Sequence, residues 1–262
     1  MSKEAVVGRL LTRTDDPELI ADGGDNFVAI MRQADDIDPD VAKRLAKLER
    51  DDELTVAERK RLLQAYENER VDNEDLRRVS KLLDESNDEY LYDDDVSIDE
   101  LLDSVDTADL DNVHLVVKDD EGDVRPLLQG HYDPDDNKKN RGWVYLKGRH
   151  IHGEQMDDPD KSATDFFPLG QNIKGRDLDP AEKMTESDIK KMVYKAIKNS
   201  ETDRQDRIAY DLSSGLKSQT GVSRIRVVVR NGRVRQAYPK EGDAVHKWIQ
   251  EVGMWKDELE NQ

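Results

Sequence analysis

The chain has 262 residues, of which 39% are charged and 35% hydrophobic, and its formal net charge is −19. It contains no cysteine, which excludes a disulfide framework and is compatible with a reducing compartment. No apolar run is long enough to cross a membrane, and the first residues lack the apolar core of a secretory signal. These features predict a protein without membrane insertion that is located in the cytoplasm, with non-classical export as the alternative.

The charge is distributed unevenly along the chain. Residues 1–137 contain 17 Lys/Arg against 40 Asp/Glu, whereas residues 138–250 contain 23 Lys/Arg against 16 Asp/Glu. One interpretation is adaptation to the salty cytosol of a halophile, since aspartate is abundant and large apolar residues are few. The other is a functional acidic segment that mimics nucleic acid and masks a basic partner site.

Residues 1–111 carry the signals of several short helices. Asp38-Pro39 supplies an N-cap and a first-turn proline. Thr55 with Glu58, and Ser97 with Glu100, form capping boxes ahead of two further helices, and Asp72 can cap a fourth. Apolar residues recur at helical spacing and predict a small helical core: Leu45, Leu48, Leu62, Leu63, Leu76, Val79, Leu82 and Leu83. We expect a helical region that serves delivery, tethering or masking.

The hydrophobic period changes at about residue 112. Residues 113–128 predict two strands around an acidic turn, and residues 143–154 resemble a further strand. Thr185 opens an amphipathic helix, residues 208–213 can add a strand, and the chain from Asp243 onward predicts a last amphipathic helix. The predicted fold class is therefore α+β, with an acidic helical region over 1–111 and, over 112–262, a domain of antiparallel sheet and flanking helices.

The strongest local signal is a hairpin centred on Asn231-Gly232, a pair typical of a two-residue type I′ turn. That turn predicts that Arg230 faces Arg233, Val229 faces Val234, Val227 faces Gln236 and Ile225 faces Tyr238. Tyr238 would then lie on the buried face. The opposite face would gather five arginines that suit nucleic-acid phosphates: Arg224, Arg226, Arg230, Arg233 and Arg235. The alternative is an edge hairpin with a solvated basic face.

Two of the five histidines, His150 and His152, stand two residues apart. On a strand they would share a face, and imidazoles suit general acid–base chemistry near neutral pH. A histidine pair beside arginines meets the needs of RNA cleavage without a metal or another cofactor. A metal-binding pair and two partly exposed strand histidines are the alternatives.

Several short pieces, taken in order, resemble the bacterial EndoU-type toxin nucleases of the barnase–EndoU–colicin–RelE superfamily. They are RHIHGE at Arg149, FFP at Phe166, the helix opened by Thr185, and a last hairpin of the form IRVVV-turn-GRV that ends in AYP. The resemblance covers about a third of the chain, from residue 149 to residue 239. The order and spacing of the pieces carry the resemblance.

The resemblance implies a toxin-like C-terminal ribonuclease domain that a cognate immunity protein neutralises. His150 matches the first motif histidine, Tyr238 matches the terminal tyrosine that positions RNA, and Ser223 or Thr220 matches the hydroxyl residue before the last strands. The interval that usually holds a second histidine motif has none here, so His152 is the expected counterpart. Lys161 or Lys174 would match the family lysine, and Lys174 is taken as an RNA-binding residue.

The function that we expect is metal-independent endoribonuclease activity that leaves a 2′,3′-cyclic phosphate, with RNA as the partner. The alternative is a non-catalytic nucleic-acid-binding or structural protein of a halophile or its virus, with the basic sheet as its binding surface. An acidic adaptor protein that uses neither site is a third interpretation.

Overall fold

A computed structural model describes residues 26–34, 36–84, 92–133, 139–150, 164–166, 185–199, 207–243, 245–249 and 254–255. Contacts divide the chain into two compact units, Met1–Asp111 and Asn112–Gln262. The division coincides with the point where the hydrophobic period changes. Helices and antiparallel strands are both present, so the protein belongs to the α+β class. No helix in the described ranges is long and apolar enough to cross a lipid bilayer.

The first unit is helical. Residues 26–33 form a helix, and a short 3₁₀ helix, Thr107–Asn112, spans the end of the unit at Asp111. Between them lie four α-helices: α1 (Pro39–Arg50), α2 (Val56–Glu67), α3 (Asn73–Asp84) and α4 (Ile98–Ser104).

The helix ends of the first unit follow the predicted capping signals. Asp38 accepts the backbone N–H of Asp40 at the start of α1. Thr55 and Ser97 form complete capping boxes with glutamates three residues later. These bonds satisfy backbone donors that have no partner inside the helix. The eight residues expected to form the apolar stripes are all buried, so the predicted helical core is confirmed.

The second unit combines three small antiparallel sheets with three α-helices in its described part. Strands β1 and β2 form a two-stranded sheet, β4, β5 and β6 form the central sheet with β5 in the middle, and β3, β7 and β8 form the third. The elements are β1 (Val113–Lys118), β2 (Val124–Leu128), α5 (Gly142–His150), β3 (Thr164–Phe166), α6 (Glu186–Asn199), β4 (Arg207–Asp211), α7 (Ser214–Thr220), β5 (Val222–Arg230), β6 (Arg233–Gly242), β7 (Val245–Ile249) and β8 (Met254–Trp255).

The core of the second unit lies between the central sheet and α6. Thr185 caps this helix: its hydroxyl accepts the backbone N–H of Asp188 at 3.2 Å. The apolar stripe of α6 then packs in one cluster with the inner face of β5. Fully buried members of this cluster include Ile189, Met192, Val193, Ala196, Ile197, Ile225 and Val227. Burying a side chain of this size contributes about 1.5–3 kcal/mol, so this cluster supplies much of the unit's stability.

The β5–β6 turn has the predicted type, but the predicted register holds only next to the turn. Asn231 and Gly232 have φ values of 51° and 75°, as a type I′ turn requires. Arg230 faces Arg233 and Val229 faces Val234. Val228 then faces Gln236, so Arg235 is an extra residue in β6 and forms a β-bulge.

The bulge moves Tyr238 off the buried face where the sequence placed it. A shift of one residue turns every later side chain of a strand to the opposite face. Val227 now faces Ala237, which is completely buried, and Arg226 faces Tyr238, which is half-buried. The prediction that Ile225 faces Tyr238 is therefore wrong, because a two-residue turn does not reveal a bulge further along the strand.

Two predicted elements have a different type. The stretch predicted as a strand begins with the helix α5, in which Trp143, Leu146 and His150 are buried at helical spacing. The expected C-terminal helix is instead β7 and β8, where Trp248 pairs with Trp255. Short apolar runs fit both periods, so tertiary contacts decide between helix and strand.

Gly142 sets the entry to α5 and therefore the position of His150 at its other end. Its φ is +78°, and a Cβ there would lie 2.5 Å from Leu128 O and 2.8 Å from Gly130 Cα. We expect Gly142→Ala to lower the free energy of unfolding by about 2–3 kcal/mol, because left-handed backbone strain and a backbone clash combine. Urea unfolding of the full chain, followed by tryptophan fluorescence, measures this change.

The matched control is Gly215→Ala in α7, where an added Cβ meets nothing within 4 Å. That change should leave stability unchanged or raise it by about 0.5–1 kcal/mol, since alanine favours helix more than glycine does. Equal unfolding midpoints for the two variants would contradict the structural role assigned to Gly142.

Candidate nucleic-acid site

The structure brings together two residues that the sequence singled out separately, His150 and Tyr238. His150 is the last residue of α5, which packs against β6, the strand that carries Tyr238. Their rings are stacked, with centroids 5.3 Å apart and an interplanar angle of 25°. His150 is only 7% exposed, so Tyr238 forms part of the enclosure that fixes its imidazole. Burial and stacking together limit the rotation of the imidazole.

Arg226 adds a guanidinium group on the strand position directly opposite Tyr238. Arg226 lies on the middle strand of the central sheet and pairs with Tyr238 across β5 and β6. Its Nε is buried and has no hydrogen-bond partner within the described part of the chain. Lys240 Nζ lies 5.7 Å from the centre of the Tyr238 ring. Imidazole, phenol and cation are the group types that phosphoryl chemistry needs.

Two further tyrosines extend the ring cluster away from Tyr238. The Tyr145 ring lies 6.2 Å from His150 and 5.6 Å from Tyr132. Burial raises the pKa of the Tyr145 phenol above its usual value, although Arg149 and Arg235 act in the opposite direction. Neither tyrosine was predicted as a site residue, because a strand over residues 143–154 gave no reason to place Tyr145 beside His150.

A cationic cleft lies at the tip of the β5–β6 hairpin. Its volume is about 720 Å³, and one wall is the hairpin tip while the other is the loop that enters α5. The lining residues are Lys139, Asn140, Arg141, Arg230, Asn231, Arg233, Val234 and Arg235. Lys139 and Arg141 were missed in the sequence, although the run KKNRG at residues 138–142 is a signal that could have found them.

Arg224 is not one of the predicted arginines that line the cationic cleft. Its guanidinium donates to both carboxylate oxygens of Asp211, at 2.6 and 3.0 Å, and to Glu241 at 3.2 Å. The hydrogen bond with Arg224 holds the pKa of Asp211 below its usual range, and the same bond raises the pKa of Arg224. Two carboxylates already compensate the charge of Arg224, so we expect it to contribute little to the predicted binding of nucleic acid.

The two predicted hydroxyl residues, Thr220 and Ser223, lie in different surroundings near the start of β5. Thr220 is completely buried, donating its hydroxyl to Leu216 O at 2.8 Å and accepting Val222 N–H at 3.2 Å, so it stabilises the turn into β5. Ser223 lies at the start of β5, and its carbonyl accepts the N–H of Leu212. It stands three residues from Arg226, roughly 10 Å along a strand. His152, Lys161 and Lys174 lie outside the described residues.

One cluster of carboxylates has the spacing of cation ligands, and it lies at the β1–β2 turn. Asp119, Glu121 and Asp123 place ligand oxygens within 4.8 Å of one another. The Asp119 carboxylate already accepts N–H groups from Glu121 at 3.1 Å, Asp123 at 2.8 Å and Arg125 at 2.7 Å. These bonds account for the cluster as the internal support of a tight turn.

The chain was also compared with known proteins. No protein-family model, no curated protein and no solved structure matches it.

Proposed function

We propose that the unit Asn112–Gln262 is a metal-independent endoribonuclease. The observation that carries the proposal is the stacked His150–Tyr238 pair, with Arg226 directly across the sheet from Tyr238. The reaction is attack of the ribose 2′-hydroxyl oxygen on the adjacent phosphorus. The bond from phosphorus to the 5′-oxygen breaks, which leaves a 2′,3′-cyclic phosphate on one fragment and a 5′-hydroxyl on the other.

Each group has a role that its chemistry supports. His150 takes the proton from the 2′-hydroxyl or returns one to the leaving 5′-oxygen, and His152 remains the expected counterpart for the other transfer. The Arg226 guanidinium stabilises the negative charge that grows on the phosphoryl oxygens. Tyr238 holds the imidazole in place and offers its phenol as a hydrogen-bond donor to the RNA. No step requires a metal ion.

The resemblance to toxin nucleases extends the proposal to a biological role. In that role an immunity protein of complementary surface would bind the second unit and block its site. The first unit, which carries 15 Lys/Arg against 33 Asp/Glu, would deliver, tether or mask the nuclease.

The proposal is tested by incubating the purified full chain with a 5′-labelled single-stranded RNA in the presence of EDTA. We expect fragments that end in a 2′,3′-cyclic phosphate, which acid opens to a mixture of 2′- and 3′-phosphates. The control is the same RNA with a 2′-deoxy substitution at the cleaved position, which has no nucleophile and should stay intact. An RNA that remains uncut across the whole range of salt concentration contradicts the proposal.

The second candidate is a protein that binds nucleic acid without cutting it. The observation that favours it is the cationic cleft, whose lining does not include His150. A binder of this kind needs the cations and tolerates replacement of His150. RNA that is bound in a salt-dependent manner but never cut would select this candidate.

A further inference from the structure

We infer that the cationic cleft at the hairpin tip, defined by its lining residues above, binds the phosphodiester backbone of a single RNA strand outside the reacting position. The inference rests on the proposed function in so far as its ligand is RNA. It assigns the cleft to affinity and the His150–Tyr238 pair to chemistry. Its consequence is that the two sites can be inactivated separately.

The composition of the cleft points to an anion. Five cationic side chains and two asparagines line it, together with Val234, and no carboxylate of the described residues does. This occurs in a chain with a formal net charge of −19, in which acidic neighbours outnumber basic ones. The polyanion with regularly spaced charges that suits such a cleft is a nucleic-acid backbone.

At the tip of the β5–β6 hairpin, two arginines lie directly opposite each other. Arg230 and Arg233 pair directly across β5 and β6, next to the type I′ turn. Like charges at directly opposite positions destabilise an antiparallel pair. Arg230 is exposed and forms no hydrogen bond or ion pair with the described part of the chain. A phosphate bound at the exposed Arg230 guanidinium would form charge-assisted hydrogen bonds there.

The β-bulge joins the two walls of the cleft. Arg235 is the extra residue of β6, and its Nε donates to the carbonyl of Asn140 at 3.1 Å. The opposite loop is held by the backbone bridge between His131 and Arg141. Each residue donates its N–H to the carbonyl oxygen of the other, with a nitrogen–oxygen distance of 2.9 Å in both bonds. Bulges commonly re-aim side chains next to functional sites. The cleft is therefore preorganised, which lowers the cost of ordering it on binding.

The location of the cleft selects a substrate longer than two nucleotides. Arg235 and Arg233 stand three and five residues from Tyr238 along β6, roughly 10 and 16 Å by strand rise. A dinucleotide has one phosphodiester, which cannot occupy the reacting position and the cleft together. A volume of about 720 Å³ is large enough for the sugars and phosphates of a short stretch of one strand.

The test compares two double variants of the full chain that remove the same net charge. Arg141→Ala/Arg230→Ala removes two cations of the cleft. Arg207→Ala/Arg224→Ala removes two arginines of the same sheet that do not line it. Affinity for a labelled single-stranded RNA is measured between low and high salt, and cleavage is measured on that RNA and on a dinucleotide.

We expect the cleft variant to lose roughly tenfold or more in affinity at low salt. The slope of log affinity against log salt concentration should become less steep by about 1.4. Each single-strand phosphate contact contributes about 0.7 to this slope, and the variant loses two contacts. The KM for the long RNA should rise while kcat and cleavage of the dinucleotide stay unchanged. The matched variant should keep the affinity and the salt slope of the original protein.

The outcomes separate this inference from the proposed function. Loss of affinity in the cleft variant, with no cleavage by any form, supports the cleft and removes the enzyme. If both double variants keep the affinity and the salt slope of the original protein, the assignment of RNA binding to the cleft is wrong, whether or not the protein cleaves RNA. A loss that is equal in both variants also overturns it, because that result reports net charge only.

Discussion

Replacement of His150 by glutamine is expected to lower the rate of RNA cleavage by about 10²–10⁴-fold and to leave RNA affinity nearly unchanged. The expectation follows from the structure because the imidazole is buried against Tyr238 and is not part of the cationic cleft. Glutamine fills much of the space and keeps a polar end, but it cannot exchange a proton near neutral pH. Single-turnover cleavage at saturating protein isolates the chemical step from binding.

The control for this variant is His131→Gln. His131 is an exposed histidine of the same unit whose backbone, and not its ring, bridges to Arg141. It should cleave like the original protein. The pH dependence gives a second readout: the His150→Gln protein should lose one limb of the bell-shaped profile, whereas a variant that is merely less stable keeps both limbs. Full cleavage by a folded His150→Gln protein would remove His150 from the mechanism.

Replacement of Arg226 by methionine is expected to lower the cleavage rate by about 10²–10³-fold, the range found when one preorganised donor to a developing oxyanion is lost. Arg226 faces Tyr238 from the middle strand, and its buried Nε has no hydrogen-bond partner within the described residues. We therefore expect the negative charge of a bound phosphate to compensate this guanidinium. Arg226→Lys should recover only a small part of the rate, since an ammonium group does not reproduce the planar guanidinium.

Arg224→Met is the matched control, two residues earlier on the same strand. Asp211 and Glu241 hold its guanidinium, so we expect nearly unchanged cleavage. The methionine change removes two exposed ion pairs there, and each exposed pair contributes about 0–1 kcal/mol. If the two methionine variants cleave RNA at the same rate, Arg226 has no special role in the reaction.

Local chemistry made the helix starts and the hairpin turn predictable. Ser97 and Thr55 each place a hydroxyl and a glutamate at fixed offsets, and these residues satisfy each other's backbone donors without help from the rest of the fold. Asn231-Gly232 likewise tolerates the positive φ values that a type I′ turn demands. Such signals depend on a few consecutive residues, so they can be predicted from the sequence.

The arrangement of the candidate site was harder to predict. A bulge at Arg235 has no residue signature in the hairpin, yet it exchanges the faces of Ala237 and Tyr238. The stretch from Trp143 to His150 fits a strand by its alternation and a helix by its buried positions. The choice of helix is made by contact with core residues on both sides of it in the chain and with β6, which begins more than eighty residues after α5 ends.

The α+β class, the capped helices of the first unit and the β5–β6 turn follow from local sequence alone, as do the residue types found near His150 and Tyr238. Each of these depends on periodicity or on side chains close to one another in the chain. Tertiary contacts bring the rings of His150 and Tyr238 into a stack, pair Arg224 with Asp211 and place Arg141 opposite the hairpin tip. These arrangements could not be predicted locally, because packing and charge pairing between distant segments select one register and one partner from several that are locally equivalent.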